Sequence, residues 1–153
     1  MPSPAYELAM CADTEPAILS ALAPSPDWHV RAQVARNAST LPEALAWLAE
    51  DPEDLVRITV ASNLQTPRPV LKRLAASADW RIRAEVARNP QTAAWIAARL
   101  ACDVVAGVRQ GAATHPRLPV DTIAMLAQDV DPFVRWALAD CHEISDTDTS
   151  GDC

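Results

Sequence analysis

Apolar positions recur along this chain on two scales. Locally, Ile82 and Val86 stand four residues apart with Ala87 beside them, which marks one face of a helix. At longer range the same positions return every 26 residues. An apolar residue stands at Val30, Val56, Ile82, Val108 and Val134, and an arginine follows each at Arg31, Arg57, Arg83, Arg109 and Arg135. Leucines hold the same beat at Leu22, Leu48, Leu74, Leu100 and Leu126, each followed by alanine. Ala35, Ala61, Ala87, Ala113 and Ala139 form a further column. A register kept without an insertion is the mark of a repeat architecture.

Each unit predicts two short helices. The first reads x-x-[VI]-R-x-x-V-A-x-N. A carboxylate precedes it at Asp27, Glu53, Asp79 and Asp131, where it is expected to cap the helix N-terminus. Asn37, Asn63 and Asn89 close it. Asparagine tolerates the left-handed conformation that ends helices, and an inter-repeat amide ladder is its other structural use. The second half opens on Thr14, Thr40, Thr66 and Thr92. "TLPE" at 40–43 reads as a capping box, and Pro67 is expected at the first position of its helix. Leu45 with Leu48, and Leu71 with Leu74, supply the buried stripe. Helices of two to three turns are marginal alone, so stacking of neighbouring repeats must hold them.

The register places the array at about residues 6–142, beginning and ending mid-unit. Residues 1–142 are expected to form one solenoid domain and 143–153 an acidic, disordered tail. The fourth unit departs from the pattern, with Gly107 and Gly111 inside its first helix and His115 in the asparagine slot. Two glycines cost about 1 kcal/mol each relative to alanine. The unit is therefore expected to be locally loose, the other reading being close approach of a partner's backbone.

Composition adds limits. Three glycines, thirteen prolines and one phenylalanine among 153 residues fit many short helices joined by tight corners. Net charge is −7, but four of the twenty acids lie in 143–153. The body then holds sixteen acids against thirteen bases, which argues against plain nucleic-acid binding. The chain has no apolar run long enough for a membrane helix and no signal-peptide pattern, so a cytoplasmic protein with reduced thiols is expected.

The residues "VR..VA.N", "ST.P" and "L..LA.D" carry a resemblance to the leucine-rich-repeat variant family, a helical solenoid related to HEAT-like repeats. The resemblance implies an all-α, right-handed superhelix of about five two-helix repeats with no β-sheet. It implies that the second helix is sometimes 3₁₀ in character. It also implies a structural role for the Arg31, Arg57, Arg83, Arg109 and Arg135 column, each arginine bonding a turn aspartate and neighbouring loops. The acids a few residues upstream, Asp51, Glu53, Asp79, Asp103, Asp129 and Asp131, are the candidate partners. Some members of the family carry an iron–sulfur cluster on an N-terminal cysteine-rich segment. Here Cys11 stands alone, so no cluster and no other cofactor is expected.

Departures from the repeat hold what packing does not require. Off-core positions of the first helices carry Trp28, His29, Gln33, Arg36, Thr59, Ser62, Trp80, Arg81, Glu85, Arg88, Gln110, Thr114, Trp136 and Asp140. If these helices line the concave face, Trp28, Gln33, Arg36, Trp80, Arg81, Glu85, Arg88 and Trp136 form a candidate partner-binding strip, since Trp and Arg dominate binding hot spots. His29, His115 and His142 are too far apart in register for a metal site, and adjacent Cys141 and His142 do not face each other. The leading expectation is a non-enzymatic protein-interaction scaffold. One alternative is a HEAT-like nucleic-acid-binding or DNA-glycosylase-type protein using Trp28, Arg36, Arg88, Trp136 and Asp140. Another is a redox or metal-carrying repeat protein. The expected partner is another protein, not nucleic acid or a membrane, and self-association through the solenoid ends is a further possibility.

Overall fold

A computed structural model describes residues 3–142. The described residues form eleven α-helices and no strand. First helices of the repeats are α1 (Pro4–Met10), α3 (Trp28–Arg36), α5 (Asp54–Ser62), α7 (Trp80–Arg88), α9 (Ala106–Ala113) and α11 (Pro132–Cys141). Second helices are α2 (Pro16–Leu22), α4 (Pro42–Leu48), α6 (Arg68–Leu74), α8 (Ala94–Leu100) and α10 (Val120–Leu126). The second helices are α-helical, seven residues each, rather than 3₁₀. No helix is long and apolar enough to cross a membrane, among the described residues.

Each first helix packs directly on the next, whereas second helices pack mainly against first helices and touch one another only thinly, as where Lys72 of α6 lies over the Trp95 ring of α8. One layer is therefore crowded and the other splayed, which curves the stack with the first helices on the inside. The core lies between the layers. Val30, Val34, Val56, Val60, Ile82 and Val86 from the first helices meet Leu19, Leu45, Leu48 and Leu71 from the second, all essentially inaccessible to solvent. Burial of each such side chain contributes about 1.5–3 kcal/mol, and this, not helix propensity, holds helices this short.

Local signals were realised unevenly. Asp27, Asp79 and Asp131 each accept a backbone N–H of the first turn, but Glu53 makes no such bond. The threonines are not helix caps. Thr14, Thr40, Thr66 and Thr92 each donate Oγ1–H to a carbonyl six residues earlier, at 2.6 Å, tying the turn to the end of the preceding first helix. The capping box expected at Thr40 is thus absent, with Leu41 at the N-cap. Pro67 is itself an N-cap, and α6 begins at Arg68. No described residue has a positive φ; Asn37, Asn63 and Asn89 end their helices in extended conformation.

The array also starts earlier than expected. α1 occupies a first-helix slot and packs on α3, so the described stack includes a first helix ahead of α2. Its sequence lacks the Val-Arg pair, but Ala9 keeps the alanine column and is fully buried. The expected 143–153 tail lies outside the described residues.

The fourth unit is not loose. α7 and α9 make the most extensive helix–helix contact in the molecule. A Cβ on Gly111 would lie 2.6 Å from the Ala84 carbonyl oxygen, and one on Gly107 would lie 2.8 Å from the Trp80 ring. The glycines let two helices of the same chain approach, so the close backbone belongs to α7 and not to a partner.

Candidate functional site

Two ladders hold the repeats in line and decide which polar groups remain free. In the first, Arg31 Nε and Nη2 donate to both Asp51 carboxylate oxygens at 2.6 and 3.0 Å, and Nη1 donates to the Ser25 and Pro26 carbonyls. Arg83 with Asp103 and Arg109 with Asp129 repeat this fork. The carboxylate partner therefore lies 20 residues downstream in the next loop, not upstream. The upstream loop supplies backbone carbonyls to every arginine of the column, as at Asp129 and Val130 for Arg135. Hydrogen bonds from Arg83 and Arg109 hold the Asp103 and Asp129 carboxyls below the ordinary carboxylate value. Burial pushes the Asp51 carboxyl up, but the Arg31 bond, the Glu53 N–H and the nearby guanidinium charges bring it below that value too. Ser77 stands where the carboxylate for Arg57 would be, and Arg57 turns to Asp54 instead.

In the second ladder each asparagine amide reaches back one repeat. Asn63 Nδ2 donates to the Ala35 and Asn37 carbonyls at 2.7 and 3.1 Å, and Oδ1 accepts the Gln65 N–H at 2.8 Å. Asn37 and Asn89 do the same. His115 takes the fourth place. Its Nδ1 accepts the Arg117 N–H, so the proton sits on Nε2, which faces the Thr92 carbonyl at 3.1 Å. The ring is fully buried, and that burial lowers its pKa below 6.5.

With the column arginines engaged, the concave side is the remaining polar surface of the first helices. A pocket of about 450 Å³ opens there. α1 contributes Tyr6; α3 contributes Trp28, His29, Gln33 and Arg36; α5 contributes Leu55, Ile58, Thr59 and Ser62; α7 contributes Glu85. Four consecutive first helices can share one pocket only on the inside of a curve. A second pocket of about 310 Å³ adjoins it, and Tyr6, Gln33 and Arg36 line both. Together they make a trough across α1, α3, α5 and α7.

The chain resembles a leucine-rich repeat variant. A solved structure described as a leucine-rich repeat variant with a novel repetitive structural motif aligns at 25 % identity over 87 % of this chain, with a TM-score of 0.42. This chain spans 66 % of that one's length. An engineered protein aligns at 17 % identity over 91 % of this chain and 87 % of its own, with a TM-score of 0.47. No family model and no curated protein matches the chain.

The trough of this repeat array gathers only some of the strip residues read from sequence. Trp28, Gln33, Arg36 and Glu85 line it; Trp80, Arg81, Arg88 and Trp136 do not. Trp80 lies over Gly107. Arg81 bonds Asp79 and Asp54 at the loop edge, and Arg88 pairs with Glu85. Trp136 is 63 % exposed on α11, where no described helix follows. Trp136 and Asp140 are therefore not gathered with Trp28 and Arg36, as a shared nucleic-acid groove would require. Sequence reading missed Tyr6, because α1 lacks the repeat signature. It also missed Leu55 and Ile58, apolar residues on the first helix that face the trough. Among the described residues no three His, Cys, Asp or Glu side chains are grouped to hold a metal.

Proposed function

We propose that this chain is a non-enzymatic interaction scaffold that holds a segment of another protein in the concave trough of its first repeats. The carrying observation is the trough itself, built by four successive first helices and lined by Trp28, Leu55 and Ile58 beside Gln33, Arg36 and Thr59. Its larger pocket falls within the roughly 300–1,000 Å³ of ordinary ligand sites, and its lining mixes apolar side chains with convergent polar groups. Chemistry of the lining favours binding over turnover. The Ser62 and Thr59 hydroxyls donate to carbonyls of their own helix, and His29 bonds Asp27, so no hydroxyl is paired with a base.

Selection of displayed random short peptides on the full chain tests this reading. Ser62 is exposed and bonded only within its helix, so Ser62→Trp fills the trough and leaves the core intact. Peptides enriched on the wild type and lost on Ser62→Trp are the expected result. Retention of the same peptides by both proteins would place binding elsewhere.

A further inference from the structure

The two copies "DWHVRAQVARN" (27–37) and "DWRIRAEVARN" (79–89) differ inside the concave surface in a way that leaves one charge open. In the second copy Glu85 accepts from Arg88 at 2.7 Å, so the guanidinium is neutralised one turn away. In the first copy the residue at Glu85's position is Gln33. Its Nε2 donates to the Tyr6 hydroxyl at 3.0 Å, and it carries no charge to offer Arg36. Arg36 is exposed and makes no ion pair or side-chain hydrogen bond among the described residues. It stands on the wall shared by the two pockets, with Leu55 and Ile58 lining the larger one. Of the arginines on α3, α5 and α7, the others all hold a carboxylate: Arg31 has Asp51, Arg57 has Asp54, Arg81 has Asp79, Arg83 has Asp103 and Arg88 has Glu85.

Resting on the scaffold reading above, we propose that the trough's occupant is an extended peptide segment with an acidic side chain on Arg36. A large apolar side chain of the same segment fills the Leu55–Ile58 pocket. An unpaired guanidinium presents a fork of N–H donors matched to a carboxylate, and charge-assisted bonds of that kind are about twice as strong as neutral ones. Leu55 and Ile58 in the same pocket supply apolar area to bury, while the single charge sets the register of the segment. Because the surrounding arginines are already neutralised, a phosphate-rich polymer finds no continuous basic track here.

The same peptide selection, repeated on Arg36→Glu and Gln33→Glu, decides the point. Gln33→Glu reproduces the second copy's internal pair and should quench Arg36 without removing it. On the wild type, enriched peptides are expected to carry Asp or Glu at a fixed spacing from a large apolar residue. A synthetic peptide of that sequence should bind both variants about tenfold more weakly, consistent with loss of one charge-assisted contact. Matching thermal melts show that Arg36→Glu is folded; if it is not, Gln33→Glu alone decides. Peptides that depend on the trough but show no acidic position, or that bind both folded variants as well as wild type, overturn this inference and leave the scaffold reading standing. No peptide enriched over Ser62→Trp overturns both.

Discussion

His115 shows how one residue type can fill another's structural slot at a cost that depends on pH. The imidazole bonds the Arg117 N–H and the Thr92 carbonyl where the other repeats use an amide, but unlike the amide it titrates. Burial lowers its folded-state pKa below 6.5, so between 6.5 and that lower value the unfolded chain takes up a proton that the folded chain refuses. Stability should be flat above pH 6.5 and should fall as pH drops below it. The carboxylate ladder adds a second loss only below 3.8, because Asp103 and Asp129 are depressed from that value. Urea midpoints measured on both sides of pH 6.5 should therefore slope for the wild type and lie level for His115→Asn; equal slopes would assign the dependence to another group. A complementary gap stands at Ser77. Replacing it with aspartate puts a carboxylate 20 residues after Arg57, as at the three complete rungs. Arg57 already shares Asp54, so the net gain is modest, about 1 kcal/mol. A higher denaturant midpoint with unchanged slope is the expected reading, and a lower one would mean the loop cannot take the carboxylate.

At the scale of helices, the α7–α9 contact turns on two glycines that differ in what they face. Gly111 faces the backbone: its Cβ would sit 2.6 Å from the Ala84 carbonyl oxygen, which cannot move without moving α7. Gly107 faces the outer edge of the half-exposed Trp80 ring, which can swing toward solvent. Alanine gains about 1 kcal/mol of helix propensity at either site. At Gly111 that gain should be overwhelmed by overpacking of about 1–3 kcal/mol, whereas at Gly107 the two effects should nearly cancel. Thermal melts of Gly111→Ala and Gly107→Ala check this, and equal destabilisation would show that Trp80 is as fixed as the backbone. The same helices mark where sequence reading succeeds. A buried Val, Leu or Ala column is legible because every repeat demands it. Polar partners are less so: Thr40 resembles a cap by position, but its hydroxyl is drawn back to the Val34 carbonyl, a choice set by the fold of the turn. Gly111 reads as a weak helix until the neighbouring backbone is seen. The trough is half legible, since Trp28 and Arg36 stand out from the repeat but Tyr6 enters from a helix without the signature.

Over the whole molecule, each repeat touches only its neighbours, so stability is a sum of local interfaces rather than the property of one central core. Those interfaces are unequal. The contact between α7 and α9 exceeds every other pair, and the Arg83–Asp103 and Arg109–Asp129 rungs flank it. The α5 to α7 step is weaker on the loop side, because the Arg57 rung has no downstream carboxylate. Helix α1, which closes one wall of the trough through Tyr6, is covered by described helices on one side only. Local opening free energies should follow the same order, since helices with fewer buried neighbours open at lower cost. Amide hydrogen exchange is therefore expected to be slowest in α7 and α9, faster in α5 and fastest in α1. The trough would then sit on the softer half of the array, with its far wall, Glu85 on α7, anchored to the firmest interface. Binding a segment across α1, α3, α5 and α7 should slow exchange in α1 and α5 more than in α7, which has little left to gain. If α1 exchanges as slowly as α9 in the free protein, the gradient does not exist, and the recognition surface rests on a uniformly rigid frame.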